Sequence, residues 1–282
     1  MSARAALVVE GGAMRGIFAC GVLEVFQERG FAPFDLALGC SAGGCILASH
    51  LAGHRGRNFA VFMQYMTRRE FIDPARCLRG GDWVDFDWLW HTTQREIPLH
   101  CAKLAASPVE FVVSSTCYAT GQPVYLEPGE HDIMHALKSS CALPLLTRSP
   151  ALVGERRLLD GGIAAPIPVQ EAYRRGARRI LVVRSKPAQF VKRRSRFSPL
   201  TAFAFRASPP LVHALSRAHL AYRGAVEFIA NPPKGCAIVQ AAPATSLATG
   251  RTTQNKRTLE LDYALGRQAG ERAIQAWQGL GD

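Results

Sequence analysis

The stretch ALGCSAG at residues 37–43 decides the fold, because an apolar segment runs through Gly39, Cys40 and Ser41 and continues directly into a helix-like segment. This is the G-x-S-x-G pattern of a sharp strand-to-helix turn, in which the middle residue adopts a strained backbone conformation and its side chain points outward. Ser41 is therefore the candidate nucleophile. Gly39 and Gly43 are expected because a Cβ atom at either position would collide with the neighbouring turn. Cys40 lies beside the tip of the turn and is interpreted as a small buried apolar residue.

A glycine-rich turn precedes this motif. Residues 4–10 form an apolar segment typical of a buried strand, and GGAMRG at residues 11–16 leads into an amphipathic helix at residues 17–29. The first residues of the turn can present consecutive N–H groups near the positive end of that helix, which is the arrangement of an oxyanion hole. A strand at 34–39 and a helix at 42–51 repeat the order, so the sequence predicts a βαβ unit with a parallel strand pair.

The rest of the chain continues the alternation of strands and helices. Residues 57–100 are predicted to form a helical insertion without a functional role. Further strands are predicted at 108–117, 124–126, 152–153, 157–159, 180–184 and 237–240, and further helices at 130–141, 169–175, 211–229 and 255–278. We therefore expect an α/β fold, a three-layer sandwich around a mainly parallel central sheet. One domain is expected over residues 1–282, with a core at 4–185 and a basic, helical C-terminal part at 186–282.

The base that would activate Ser41 has two candidate arrangements. Asp160 follows a short apolar run and precedes two glycines, so a carboxylate at a strand end could reach Ser41 directly. Burial there would raise the pKa of Asp160 and make it a usable general base. The alternative is a Ser-His-Asp triad, for which His213 and His219 are the histidines that follow Asp160 in the sequence. Asp160 could also simply open an ordinary turn.

Four motifs taken together resemble the patatin-like phospholipase family, and in particular its small bacterial members. They are EGGAMRG at residues 10–16, GCSAG at 39–43, SSCALP at 139–144 and DGG at 160–162, in that order. The resemblance covers most of the chain. It implies a patatin-like variant of the three-layer α/β sandwich, and hydrolysis of lipid acyl esters by a Ser-Asp dyad that needs no histidine, metal or cofactor.

The resemblance also assigns roles by position. Ser41 matches the nucleophile and Asp160 the base of the dyad. The oxyanion loop and the basic position of the family fall on Gly11, Gly12, Ala13 and Arg15, and the supporting glycines are Gly16, Gly39, Gly43, Gly161 and Gly162. Two departures stand out, since Glu10 replaces an aspartate found in many members and Ala13 replaces the third loop glycine. If Ala13 requires a positive φ, the oxyanion loop is strained.

The net charge of +12 is concentrated in one segment. Between Glu171 and Glu227 the chain carries thirteen lysines and arginines and no acidic residue. In part of this window, cations alternate with large apolar residues: Lys192, Arg193, Arg194, Arg196 and Arg206 with Phe190, Phe197, Leu200, Phe203 and Phe205. This mixture is typical of a segment that contacts an anionic membrane surface, where Lys192, Arg193, Arg194 and Arg196 would meet lipid headgroups. The alternative is that the phenylalanines belong to the core, or that Phe203 and Phe205 cover the mouth of the active site.

Other function classes fit less well. The basic window contains no recognised nucleic-acid-binding motif, so no nucleic-acid partner is expected. A dinucleotide-binding protein would carry an acidic residue at the end of the second strand, where this chain has Cys40 and Ser41. A catalytically silent lipid- or nucleotide-binding member of the family remains an alternative.

Composition places the protein in the cytoplasm or peripherally at the inner membrane surface. The eight cysteines include no C-x-x-C pair, which is typical of reduced thiols and argues against a zinc site or a disulfide framework. No apolar run approaches the ~20 residues that span a bilayer, and the N-terminal segment lacks a signal-peptide pattern.

Overall fold

The computed structural model describes residues 3–127, 133–144, 150–194 and 203–280. Its strands are β1 (Ala5–Val9), β2 (Leu36–Cys40), β3 (Glu110–Cys117), β4 (Pro123–Leu126), β5 (Ala151–Val153), β6 (Arg156–Asp160), β7 (Arg179–Val183) and β8 (Ala237–Ala241). Its helices are α1 (Ile17–Glu28), α2 (Ala42–Leu51), α3 (Arg57–Ala60), α4 (Pro74–Leu78), α5 (Phe86–Glu96), α6 (Cys101–Ala105), α7 (Ile133–Ser140), α8 (Val169–Arg174), α9 (Pro209–Ala230) and α10 (Lys256–Gln278). A 3-10 turn at Ala13–Gly16 leads into α1, and a π-helical turn at Val61–Tyr65 follows α3.

The strands form one eight-stranded sheet in the order β5-β6-β3-β2-β1-β7-β8, with β4 paired to β3. The pairs β1–β2, β1–β7, β2–β3 and β7–β8 are parallel, whereas β3–β4, β3–β6 and β5–β6 are antiparallel. This confirms the mainly parallel central sheet and the first βαβ unit predicted from the sequence. The segment 57–100, predicted as a helical insertion, consists of several short helices and the turns between them.

Side chains of β1 alternate between two cores, one on each face of the sheet. Leu7 and Val9 pack in the core that α1, α2 and α10 cover, whereas Ala6 and Val8 pack in the core that α8 and α9 cover. Central parallel strands are buried on both faces, which explains why β1 reads as a continuous apolar run rather than as an alternating one. The three-layer α/β sandwich expected from the sequence is confirmed.

The C-terminal part of the chain is built into this sandwich. Strand β8 extends the sheet beside β7, and α10 packs along α1. On the basis of these contacts, we propose that residues 1–282 form a single domain. Within the described ranges, no helix has the length and apolar character needed to cross a membrane.

Helices α1 and α10 pack so closely that glycine is required where they cross. A Cβ atom built on Gly266 of α10 would lie 2.1 Å from the carbonyl oxygen of Phe18, and one on Gly21 of α1 would lie 2.3 Å from the carbonyl oxygen of Tyr263. Neither obstacle is a flexible side chain, so a methyl group at either position would force the two helices apart.

The first prediction tests this contact. Gly266→Ala should lower the free energy of unfolding by about 2 kcal/mol, because overpacking outweighs the helix propensity gained from alanine. Gly224→Ala is the matched control, since Gly224 lies in α9 and a Cβ atom there would meet no heavy atom within 4 Å. In urea-induced unfolding, the free energy of unfolding of the control should rise by about 0.5–1 kcal/mol. Equal stability of the two variants would contradict the close helix packing.

Candidate active site

Ser41 stands at the strand-to-helix turn in a strained conformation. It follows the last residue of β2 and precedes the first residue of α2, with φ 52° and ψ −128°. A non-glycine residue at positive φ costs of order 1–3 kcal/mol and persists only where the surrounding structure enforces it. The neighbouring Cys40 is fully buried, and this burial raises the pKa of its thiol well above the usual value. Cys40 is therefore an inert buried residue, as the sequence predicts.

Two close backbone contacts hold the turn in place. A Cβ atom built on Gly43 would lie 2.5 Å from the carbonyl oxygen of Val9 in β1, and one on Gly39 would lie 2.5 Å from the Cα atom of Gly44. The start of α2 therefore crosses the end of β1 in direct backbone contact. Only glycine fits at these two positions. The obstacle at Gly39 is the neighbouring turn, as the sequence predicts, whereas the obstacle at Gly43 is the end of β1.

A side chain from the SSCALP segment completes the support of the turn. The buried N–H of Ser41 donates a hydrogen bond to Oγ of Ser140 at 2.7 Å, and the Ser140 hydroxyl donates to the carbonyl oxygen of Ser114 at 2.6 Å. Sequence analysis did not assign Ser140 this role. The SSCALP motif identifies the segment but not this bond, because the bond joins residues 99 positions apart.

The register of the sheet brings Asp160 to the level of Ser41. Cys40 of β2 pairs with Ser114 of β3, and the next residue of β3, Ser115, pairs with Asp160 at the end of β6. The backbones of Ser41 and Asp160 are thus two strand spacings apart, about 10 Å, and the two side chains can meet across β3.

The Asp160 carboxylate is buried and only partly satisfied. Oδ1 accepts a hydrogen bond from the N–H of Gly162 at 2.7 Å, whereas Oδ2 has no hydrogen-bond partner among the described residues. Burial raises the pKa of Asp160, and the hydroxyl of Ser41, as a neighbouring donor, offsets part of that rise. The hydroxyl and the carboxylate are therefore adjacent without forming a fully aligned hydrogen bond. Such pairs are commonly loose before a substrate is bound.

The glycine-rich loop lies beside Ser41. A Cβ atom built on Gly11 would be 3.1 Å from the Cβ atom of Ser41, and Gly12 and Ala13 line the same cavity. Within the described ranges, no hydrogen bond engages the N–H group of Gly12 or Ala13. Ala13 has φ 50°, so the condition for an unstrained loop is not met, and alanine costs about 1 kcal/mol relative to glycine at this position.

Ser41, Asp160 and the loop open into a cavity of about 690 Å³. Much of its wall is apolar and comes from the insertion at 57–100: Val61, Phe62, Met66, Phe71, Ile72, Val84, Phe86, Leu89, Trp90 and Leu99. The insertion therefore forms much of the cavity that Ser41 and Asp160 border, a position that the sequence does not predict. Its aromatic stripes were the available signal, but periodicity alone does not distinguish residues that face a cavity from residues that fill a core.

Another part of the cavity wall carries cationic side chains. Arg15 is buried in the lining, and the cavity is also bordered by Lys186, Lys192, Arg193 and Arg251. Glu10 lies among them, with Oε2 accepting a hydrogen bond from the N–H of Ser185 at 2.7 Å, and burial raises the pKa of Glu10.

The segment expected at a membrane surface divides into two parts. Lys192 is half-buried in the cavity lining, whereas Arg193 and Arg194 are exposed. Phe203 is exposed, but Phe205 packs against Tyr118. Arg196, Phe197 and Leu200 lie outside the described residues.

The two histidines of the alternative triad differ in position. His219 borders the cavity, whereas His213 is exposed, with Nε2 3.3 Å from the guanidinium of Arg217. In the described part of the chain, no hydrogen bond joins His219 to Ser41 or Asp160. The same part of the chain holds no group of His, Cys, Asp and Glu side chains that could bind a metal ion.

Comparison with known proteins gives two family matches. A family model described as patatin-like phospholipase matches residues 7–173, and a domain of unknown function, DUF6363, matches residues 208–280. The first match contains Ser41, Asp160 and the glycine-rich loop.

Similar proteins cover different shares of the chain. The uncharacterized protein YjjU of Escherichia coli (strain K12) is 36% identical over 271 residues, which is 95% of this chain and 76% of YjjU. The uncharacterized NTE family protein Rv1063c of Mycobacterium tuberculosis (strain ATCC 25618 / H37Rv) is 30% identical over 177 residues, 60% of this chain and 45% of that protein. The chain thus spans less than half the length of Rv1063c.

Two solved structures share 13% sequence identity with the chain. VipD from Legionella pneumophila has a TM-score of 0.45 over 97% of this chain and 67% of its own, and human GIVD cytosolic phospholipase A2 has a TM-score of 0.47 over 98% and 62%.

The second prediction concerns the support of the turn by Ser140. Ser140→Ala should lower the free energy of unfolding by about 1–3 kcal/mol, because the buried N–H of Ser41 loses its acceptor. Ser49→Ala is the matched control, since the Ser49 hydroxyl is buried without a hydrogen-bond partner among the described residues. The control should be neutral or slightly stabilised in thermal unfolding. A Ser140→Ala protein as stable as this control would contradict the supporting role.

Proposed function

Because the chain belongs to the patatin-like phospholipase family, we propose that it hydrolyses lipid acyl esters with Ser41 as nucleophile and Asp160 as general base. The observation that carries the proposal is the convergence of three features on one cavity. They are a serine at a strained turn, a buried carboxylate with an unsatisfied oxygen, and a loop with unengaged N–H groups.

In the first half of the reaction, Oγ of Ser41 attacks the ester carbonyl carbon while Oδ2 of Asp160 takes the hydroxyl proton. The raised pKa of Asp160 makes this carboxylate a stronger base than an exposed aspartate. The carbonyl oxygen becomes an oxyanion, which the N–H groups of Gly12 and Ala13 and the positive end of α2 stabilise. Collapse of the tetrahedral intermediate breaks the ester bond, and the leaving alcohol takes the proton from Asp160.

The second half repeats these steps with water. Asp160 removes a proton from a water molecule that attacks the acyl group on Ser41, and the resulting intermediate collapses to a free fatty acid. The proton on Asp160 returns to Oγ of Ser41. The apolar wall from the insertion would hold the acyl chain during both halves, since burial of its methylene groups contributes ~0.8 kcal/mol each.

The third prediction tests the dyad. Ser41→Ala should abolish hydrolysis of a short acyl ester and labelling by a fluorophosphonate probe, because the attacking oxygen is gone. Asp160→Asn should lower kcat/KM by about 10²–10⁴-fold, the usual contribution of a general base. In the wild type, kcat/KM should fall as the pH drops through the raised pKa of Asp160, at a higher pH than the ordinary aspartate value of 3.8 would give.

Stability measurements provide the control for folding. The folded protein favours protonated Asp160, so its ionisation weakens stability as the pH rises from 3.8 through the raised pKa. Asp160→Asn should therefore unfold at a temperature at least as high as the wild type at pH 8. The double change His213→Gln and His219→Gln should keep most of the activity. A loss of several orders of magnitude in that variant would favour the Ser-His-Asp triad, and full activity of Asp160→Asn would exclude the dyad.

We also propose that exposed residues of the basic segment, of which Arg193 borders the cavity, contact an anionic membrane surface. Arg193 and Arg194 are exposed, and Val191 and Phe203 are 60% and 63% exposed. The guanidinium of Arg206 lies 4.2 Å from the ring centroid of Phe203. Cations next to exposed apolar side chains suit shallow insertion among anionic headgroups, and this position would bring the cavity to its lipid substrate.

The fourth prediction tests this contact by co-sedimentation with vesicles. Arg193→Ser with Arg194→Ser should weaken binding to anionic vesicles at low salt on the order of 25-fold, since each cation contributes ~1 kcal/mol. The matched control is Lys256→Ser with Arg257→Ser, which removes the same charge from exposed positions at the start of α10. Equal weakening in both proteins, or no preference for anionic over neutral vesicles, would overturn the membrane contact.

A further inference from the structure

Four cationic side chains line one part of the cavity, and we call them the cationic cluster: Arg15, Lys186, Lys192 and Arg251. Arg251 and Lys192 both act on Asp160 as nearby positive charges, so the cluster adjoins the base of the proposed dyad. The catalytic steps proposed above do not use any of these four charges.

Neighbouring acids do not neutralise the cluster. In the described ranges, the carboxylates that border the cavity are Glu10 and Asp160. Burial raises the pKa of both, so the protein disfavours their negative charge. Glu10 is also engaged by the N–H of Ser185 and faces the positive charge of Arg184 as well as that of Arg15. The four cations of the cluster face these two carboxylates, so the cluster keeps a net positive charge even when both carboxylates are ionised.

Among the described residues, the cationic groups also lack ion-pair partners. Arg15 is nine-tenths buried, and its Nε atom has no hydrogen-bond partner among the described residues. No ion pair in that part of the chain includes a member of the cluster. The ammonium groups of Lys186 and Lys192 lie over aromatic rings, 5.1 Å from Phe190 and 5.5 Å from Tyr222. A buried guanidinium nitrogen without a partner is costly, and an anion bound nearby would reduce the cost of the buried charge.

The members of the cluster are close enough to repel one another. Burial lowers the pKa of Arg15 and Lys192, and in each case the positive charge of Arg251 lowers it further. The pKa of Lys186 is also lowered, mainly by burial and then by the positive charge of Arg15. Like charges held together in a partly closed space form a site suited to an anion.

Three of the four cations lie beyond the patatin-like match at residues 7–173. Lys186 and Lys192 follow that match, and Arg251 lies in the segment 208–280 that matches the domain of unknown function. The carbonyl oxygen of Arg251 accepts a hydrogen bond from the N–H of Met14 at 3.4 Å, which fixes this segment against the glycine-rich loop. The C-terminal part of the chain thus supplies side chains to the cavity that contains Ser41.

We propose that the cationic cluster binds the phosphate group of the substrate, so that the chain acts on acyl esters whose phosphate headgroup has a net negative charge in preference to neutral or zwitterionic esters. This inference rests on the acyl hydrolase function proposed above. The acyl chain lies against the apolar wall, the ester carbonyl lies at Ser41, and the phosphate lies on Lys192 and Arg251. Guanidinium and ammonium groups bind phosphate through short charge-assisted hydrogen bonds, which a neutral headgroup cannot replace.

The fifth prediction compares three substrates with one acyl chain, each below its aggregation concentration: a lysophosphatidic acid, a lysophosphatidylcholine and a monoacylglycerol. The wild type should hydrolyse the lysophosphatidic acid with a kcat/KM at least tenfold above the other two. Lys192→Gln with Arg251→Gln should lower this value about 100-fold, roughly tenfold for each cation. The loss should be at least tenfold larger for the lysophosphatidic acid than for the monoacylglycerol, because any effect on the basicity of Asp160 acts on all three substrates and cancels in this ratio.

The control is Lys234→Gln with Arg257→Gln, which removes two exposed cations that do not line the cavity. This protein should keep the wild-type preference. If Ser41 is labelled by the fluorophosphonate but the three esters are hydrolysed equally, the cationic cluster does not select phosphate, and the inference is overturned while the hydrolase function stands. An equal loss on all three esters in the double Gln variant would also overturn it.

Calorimetry on the Ser41→Ala protein tests the cluster even if no ester is hydrolysed. The lysophosphatidic acid should bind at least tenfold more tightly than the monoacylglycerol, and the Lys192→Gln and Arg251→Gln changes should remove that difference. Inorganic phosphate alone is the second ligand and should bind much more weakly, because it lacks the acyl chain. Phosphate that binds as tightly as the lipid would indicate a free-anion site and overturn the assignment to the substrate headgroup.

Discussion

The contact between the start of α2 and the end of β1 is the constraint on which the rest of the site depends. Gly43 allows the helix to touch the carbonyl oxygen of Val9, and this approach keeps Ser41 at a positive φ. Because β2 lies between β1 and β3, the same turn is flanked by the glycine-rich loop on one side and by the β3–β6 pair on the other. Ser140 then fixes the backbone of Ser41 by accepting a hydrogen bond from its N–H group. Strain at one serine is thus distributed over several rigid elements, which is how such a conformation persists.

Burial is the main influence on the pKa values of the carboxylates in the site. Asp160 and Glu10 are each 4% exposed, and desolvation is the largest influence on the pKa of both. Their surroundings differ, however. Glu10 accepts a hydrogen bond from Ser185 and faces Arg184, whereas one oxygen of Asp160 remains without a partner in the described part of the chain. An unsatisfied buried oxygen is expensive for stability, so its presence beside a serine hydroxyl supports the proton transfer proposed for Asp160.

Local sequence patterns were sufficient to predict the strands and helices but not to predict the residues that line the cavity. The strand and helix periods predicted the sheet, and the G-x-S-x-G and D-G-G motifs led to Ser41 and Asp160, because each depends on neighbours in the sequence. The apolar wall from 57–100 was missed, since a stripe that lines a cavity has the same period as one that fills a core. The contributions of Ser140 and Arg251 depend on contacts between distant segments, which no local pattern encodes. The positive φ of Ala13 was foreseen only as a condition, because alanine itself gives no sign of it.

The cations near the cavity differ in burial, and this difference affects how each proposed role depends on salt. Charges on exposed arginines such as Arg193 and Arg194 are screened over about 8 Å at physiological salt, so their attraction for a membrane weakens as salt rises. Arg15 and Lys192 are withdrawn into the lining, where screening is weaker and a phosphate would replace lost hydration. Salt should therefore weaken docking more than it weakens the contribution of Lys192 to headgroup selection, whereas the contribution of the exposed Arg251 should fall with salt as docking does. A single basic segment can serve both steps because its backbone turns Lys192 inward and leaves the two residues after it in solvent.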